Sequence, residues 1–190
     1  MSVRIVAAGE ARRMPWKNGR GMTLEVATDA PASDPAAWTW RLSIADLPER
    51  GPFSRFPGID RSIACLAGEG LRLHRGRSVD EVPKHGVALA FAGEEEVDGE
   101  PRGRGVRDVN LMLRRGAWSG RLRVERGAGG SARGATVVIH AFTAGLAIEF
   151  EGVAYPLPPG ATLVGTGGLR WSGEADAVAI VAEINREGPH

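Results

Sequence analysis

Cysteine and tyrosine occur once each in this chain and histidine four times. No apolar stretch approaches the length needed to span a bilayer. The single Cys65 excludes an intrachain disulfide, and its place in Ile63-Ala64-Cys65-Leu66-Ala67 reads as a small buried hydrophobe. An excess of one charge is missing too. The formal net charge is +1 although 25% of residues are charged, so no global field draws the chain to nucleic acid or to an anionic membrane. The basic residues Arg114, Arg115, Arg121, Arg123 and Arg126 are interrupted by Glu125 and have only Trp118 among them, which fits a solvated strand face better than a nucleic-acid surface. The segment Met1 to Glu10 carries too short an apolar core for a signal peptide, and the cytoplasm is the expected location. His74, His85, His140 and His190 are scattered, with no His-x-His, so no metal site and no cofactor is expected. Nucleophilic catalysis is equally short of parts: Cys65 has no basic neighbour and Ser54 no nearby histidine in the sequence.

What the chain does have is alternation. In Trp38-Thr39-Trp40-Arg41-Leu42-Ser43-Ile44-Ala45 the even positions are large and apolar while Thr39, Arg41 and Ser43 share the other face, the pattern of a half-buried strand. The same period recurs in Leu71-Arg72-Leu73-His74, in Asp108 to Leu113 and in Leu122 to Glu125. The 27 glycines and 12 prolines divide these short runs at the spacing of a β-sandwich, so an all-β fold is expected. Ala67-Gly68-Glu69-Gly70-Leu71-Arg72-Leu73 and Phe142-Thr143-Ala144-Gly145-Leu146-Ala147-Ile148 match at an offset of 75. Each copy reads as strand, glycine turn, strand, loop and Pro-containing turn, the build of a small antiparallel barrel. The expectation is one unit over 1–190, a duplicated cupin-like β-sandwich whose halves, roughly 1–115 and 116–190, pack directly.

Chemistry concentrates in Gly51-Pro52-Phe53-Ser54-Arg55-Phe56-Pro57-Gly58-Ile59-Asp60-Arg61, where Gly and Pro at four of eleven positions hold aromatics, a hydroxyl, guanidiniums and a carboxylate in turns. Pro15-Trp16-Lys17-Asn18-Gly19 is similar in character. With Trp40 to Ala45, Asp108 to Met112 and Arg114-Arg115, these ordered motifs resemble the HutD/Ves family over the first two-thirds of the chain. The resemblance implies a bicupin fold and a link to histidine utilisation, as a regulatory or ligand-binding factor without an established catalytic activity. It points to an intermediate of histidine breakdown, such as a formylated or formimino derivative of glutamate. One departure is Arg20, where the family pattern has glycine; a guanidinium there would narrow or recharge the pocket.

Lys17, Asn18, Arg41, Ser54, Arg61 and Asn110 form a set of donors suited to a carboxylate or amide, because a guanidinium fork can bond both carboxylate oxygens. Ser43 shares the Arg41 face, and Trp16 and Phe53 sit in loops where aromatic pocket walls arise. The bland alternatives are that Arg61 pairs with Asp60 or Asp108 to tie loops down, that Lys17 is exposed, and that the rings pack the core. Asp108 and Asn110 share one strand face, which lines a cavity or meets open water. Asp60 and Asp108 would serve an isomerase or hydrolase only if both lined one cavity. The principal expectation is a small anionic metabolite as partner. A structural role, with exposed sandwich edges pairing into a homodimer, is the third reading.

Overall fold

The computed structural model describes residues 3–15 and 21–188. Its elements are all strands: β1 (Arg4–Val6), β2 (Arg12–Pro15), β3 (Met22–Thr28), β4 (Trp40–Asp46), β5 (Gly51–Pro52), β6 (Ile59–Ala67), β7 (Gly70–Arg75), β8 (Ser78–Pro83), β9 (Leu89–Ala92), β10 (Val97–Arg102), β11 (Arg107–Arg114), β12 (Trp118–Arg126), β13 (Gly129–Ala141), β14 (Leu146–Phe150), β15 (Val153–Leu157), β16 (Thr162–Gly173) and β17 (Val178–Arg186). They form a six-stranded sheet in the order β2-β3-β4-β11-β6-β9, a four-stranded sheet β5-β10-β7-β8, and a seven-stranded sheet β12-β17-β13-β16-β14-β15 with β1 paired to β16. None of the three closes into a ring among the described residues. The two segments matched at an offset of 75 both open hairpins, β7 with β8 and β14 with β15. No helix of the described residues is long and apolar enough to cross a membrane.

The central strands of the six-stranded sheet, β4, β11 and β6, are packed on both faces and mostly buried, whereas the edge strand β2 is largely exposed. Trp40, Leu42 and Ile44 of β4 and Val109, Leu111 and Leu113 of β11 pack with Val138, Ile180, Ala182 and Ile184 of the seven-stranded sheet. On the opposite face, Ile63, Cys65 and Phe91 pack with Leu71, Leu73, Val82 and Val97 of the four-stranded sheet. Burial of a Leu or Ile side chain contributes about 1.5–3 kcal/mol, so these two contacts hold the layers together. Inside the seven-stranded sheet the alternate residues Val137, Ile139, Ala179 and Val181 join Ile148, Leu163, Leu169 and Trp171 in a third, wholly apolar core. That half is filled with apolar side chains.

His140 of β13 lies on the Val138 side of its strand, only 2% exposed, its Nδ1 and the Thr162 hydroxyl 2.9 Å apart in a hydrogen bond. Burial, seconded by the charge of Arg107, pushes its imidazole down to about 4. The folded protein therefore keeps His140 neutral where an unfolded chain would protonate it, below about 6.5. Stability from this group is present above pH 6.5 and is lost as the pH falls towards 4. His140→Gln is expected to flatten the acid limb relative to the wild type by up to about 3 kcal/mol, measured as urea unfolding free energies between pH 4 and 7.

Candidate functional site: a polar cavity on the six-stranded sheet

The second face of the six-stranded sheet is apolar only where the four-stranded sheet covers it. Towards β3 and β4 the cover ends, and a cavity of about 510 Å³ opens. Strand register arranges its floor in rows, since residues directly opposite in an antiparallel ladder project to the same side. Arg41, Met112 and Arg61 make one row, Ser43, Asn110 and Ile63 the next, and Ala45, Asp108 and Cys65 the third. Rows lie about 7 Å apart along the strands, and Arg41 and Arg61 stand two strands, roughly 10 Å, apart at the backbone. The segment 51–56 forms the facing wall, with Gly51, Pro52, Phe53, Ser54 and Phe56 all lining the cavity.

Two guanidinium groups dominate one end. Arg61 is 5% exposed, donates through Nη1 to the Ser54 carbonyl at 3.0 Å, and lies 4.8 Å from the ring centre of Phe91, 5.4 Å from Phe53 and 5.7 Å from Phe56. The Arg41 guanidinium lies 4.9 Å from Trp38 and 5.6 Å from Phe56. Phe56 thus sits against both cations, and Trp38 meets it edge-on with ring centres 6.2 Å apart. Rings this close favour a cation electrostatically without using up its N–H donors. The Nε atoms of both arginines are buried with no hydrogen-bond partner among the described residues. Burial lowers both pKa values, Arg61 to about 10, so both remain cations at neutral pH.

The other end is built of acceptors. Asn110 is 6% exposed and its Oδ1 has no donor among the described residues. Asp108 is 3% exposed, and burial pushes its carboxyl up to about 7, against the charge of Arg61 and with that of Asp46. Ser43 is buried beside them.

Seven of the sequence candidates therefore line one cavity: Arg41, Ser43, Phe53, Ser54, Arg61, Asp108 and Asn110. Ser54 is exposed, and its carbonyl, not its hydroxyl, contacts Arg61. Trp16, Lys17 and Asn18, with Arg20, lie outside the described residues. Asp60 does not join the group. It precedes Arg61 in a strand and so projects to the other face, where it accepts a 2.8 Å hydrogen bond from Arg115 Nε. Arg115 also binds Glu94, which takes the backbone N–H of Gly58. Asp60 thus ties down the end of the Gly51 to Arg61 segment, and the expected alternative of an Asp60–Asp108 acid/base pair is corrected by this geometry. Arg61 forms no ion pair with Asp60. Phe56, Phe91, Trp38 and Met112 were not among the sequence candidates. Phe56 stood in the motif, but Phe91 reaches Arg61 only through the pairing of β9 with β6. No group of three or more metal-ligating side chains occurs among the described residues.

A family model described as HutD matches residues 8–182. The chain is 40% identical over 114 residues to an uncharacterized 21.2 kDa protein in the hutC 3' region of Pseudomonas putida, an alignment covering 58% of this chain and 57% of that protein. It is 33% identical over 119 residues to the protein Ves of Escherichia fergusonii, covering 60% of this chain and 61% of that one. The chain thus spans less than two thirds of the length of these relatives. Among solved structures, a conserved protein of unknown function from Pseudomonas aeruginosa superposes with a TM-score of 0.86 at 30% identity, covering 97% of this chain and 100% of that one. HutD from Pseudomonas fluorescens gives 0.79 at 26% identity, covering 98% and 100%. A cupin 2 conserved barrel domain protein from Leptotrichia buccalis, with a TM-score of 0.55 at 8% identity and coverage of 93% and 97%, shows likeness of fold alone. Since the family match runs through the strands that build the cavity and on into β17, the chain belongs to the HutD family.

Proposed function

We infer that the cavity binds a small anionic metabolite and that the protein senses or buffers that metabolite in histidine utilisation. The observation that carries this reading is the pair of guanidiniums, Arg61 buried and Arg41 half-buried, which aromatic rings approach within 6 Å and whose buried Nε atoms lack partners among the described residues. A buried cation in that state is costly unless something pairs with it, and a carboxylate answers two guanidinium forks at once. Asn110 in the next row adds an acceptor for an N–H on the same ligand. The names of the relatives tie them to the hut region and to HutD, which supports an intermediate of histidine breakdown. A formylated or formimino derivative of glutamate has the required combination of carboxylates and N–H. The matching β7–β8 and β14–β15 hairpins support reading the two halves as copies of one cupin-like unit.

Titration calorimetry with N-formylglutamate, formiminoglutamate, urocanate and glutamate tests the function. Saturable 1:1 binding by a carboxylate of this set is the expected result, and the absence of heat with every one removes the reading. A second reading, an isomerase or hydrolase acting on a small carboxylate, is favoured by one observation: Asp108 sits in the cavity with its carboxyl held near neutrality. Conversion of any of these compounds, followed by NMR, would select it.

A further inference from the structure

Asp108 is a puzzling residue to find in an anion site. It lines the same cavity as the two arginines, almost fully buried, and its carboxyl is influenced by the charges of Arg61 and Asp46 with no side-chain hydrogen bond among the described residues. A carboxylate in that position would repel an arriving anion and would claim the field of Arg61 for itself. A carboxylic acid would do the reverse, adding an O–H donor to the cavity and leaving both cations to the ligand. We propose that Asp108 sets the charge the pocket accepts: the anion enters together with one proton, which Asp108 holds. This rests on the anion-binding reading of the cavity and goes beyond it.

The surroundings of Asp108 agree. On β6 the buried Cys65 stands in its own row, and Arg61, two rows away, is the charge that opposes protonation. Burial raises the Cys65 thiol, a hydrogen bond with the Ala67 backbone opposes this, and the charge of Asp108 adds to the rise. On β4, Asp46 favours the protonated form, while Arg41 lies two rows away and is itself balanced by Glu25 of β3. Glu49 and Arg50 stand at the rim, Arg50 facing Asp98 of β10 at 3.5 Å. Burial brings the Asp108 carboxyl up to about 7. A bound anion would neutralise Arg61, removing the main influence that keeps Asp108 ionised, and would add a negative charge of its own. The ligand thus tightens the proton, and by reciprocity the proton tightens the ligand.

The experiment is calorimetric titration of N-formylglutamate between pH 6 and 9, where its carboxylates are ionised throughout. The wild type should lose affinity about tenfold for each pH unit above neutrality, and two buffers of different ionisation enthalpy should report uptake of nearly one proton per ligand at pH 8. Asp108→Asn, which keeps the shape and cannot ionise, should bind with a flat profile. A flat wild-type profile without proton uptake overturns the inference and leaves anion binding standing. The same slope in Asp108→Asn also overturns it. Absence of binding at pH 6 in both proteins overturns the anion reading and this inference with it.

Discussion

Replacing Arg61 with alanine is expected to weaken binding of the anionic ligand by about 2 kcal/mol or more, close to 30-fold, because a buried charge-assisted hydrogen bond contributes on that scale. The loss should exceed that of any rim charge. Arg61 is among the most buried cations of the cavity, and three rings, Phe53, Phe56 and Phe91, hold its guanidinium in place. Arg61→Lys keeps the charge without the planar fork and should recover only part of the affinity. Removing Arg61 also withdraws the charge that opposes protonation of Asp108, so the carboxyl in the alanine variant should stay neutral to higher pH than in the wild type. Calorimetry on a variant shown to be folded by its unfolding transition is the measurement. Unchanged affinity in that variant would clear Arg61 of the role.

The second large effect should come from a residue that does not touch the cavity. Gly93 follows β9 and is clamped between two backbone hydrogen bonds, its N–H to the Ile59 carbonyl and its carbonyl from the Phe56 N–H, both 2.7 Å. A Cβ at this position would lie 2.3 Å from the Phe56 carbonyl oxygen and 2.7 Å from that of Ile59. Both obstacles are backbone, so the segment carrying Phe56 has to move away from β9. Overpacking of this kind costs about 1–3 kcal/mol, and strain on the two hydrogen bonds adds to it. The ring against which both Arg41 and Arg61 rest would move with the segment. Gly93→Ala is therefore expected to lower both urea stability and ligand affinity. Gly9→Ala is the control, since it lies outside the cavity lining, a Cβ there meets nothing within 4 Å, and it should change stability by less than about 0.5 kcal/mol. Equal effects of the two substitutions would show that the close approach at Gly93 has no part in shaping the site.

Strand character was legible in the sequence because side chains alternate across a sheet with period two, and Trp40, Leu42 and Ile44 announce their common face without help from any other residue. The turn-rich segment from Gly51 to Arg61 was legible for a similar local reason, since Pro and Gly set backbone angles in place. Asp60 and Arg61, read as part of that segment, instead lie at the start of strand β6 and so point to opposite faces. Family membership, too, lay in the order of short motifs. What alternation leaves open is the nature of the medium on each face. Ser43, Asp108 and Asn110 form a polar face, and a polar face looks the same whether water or a wall of protein lies opposite. Only the tertiary structure decided this, by ending the four-stranded sheet short of β3 and β4 and laying the 51–56 segment across the gap. The rows of the floor and the stacking of Phe91 on Arg61 were decided in the same way, because register between strands dozens of residues apart depends on how whole faces pack, and no local window of sequence contains that information.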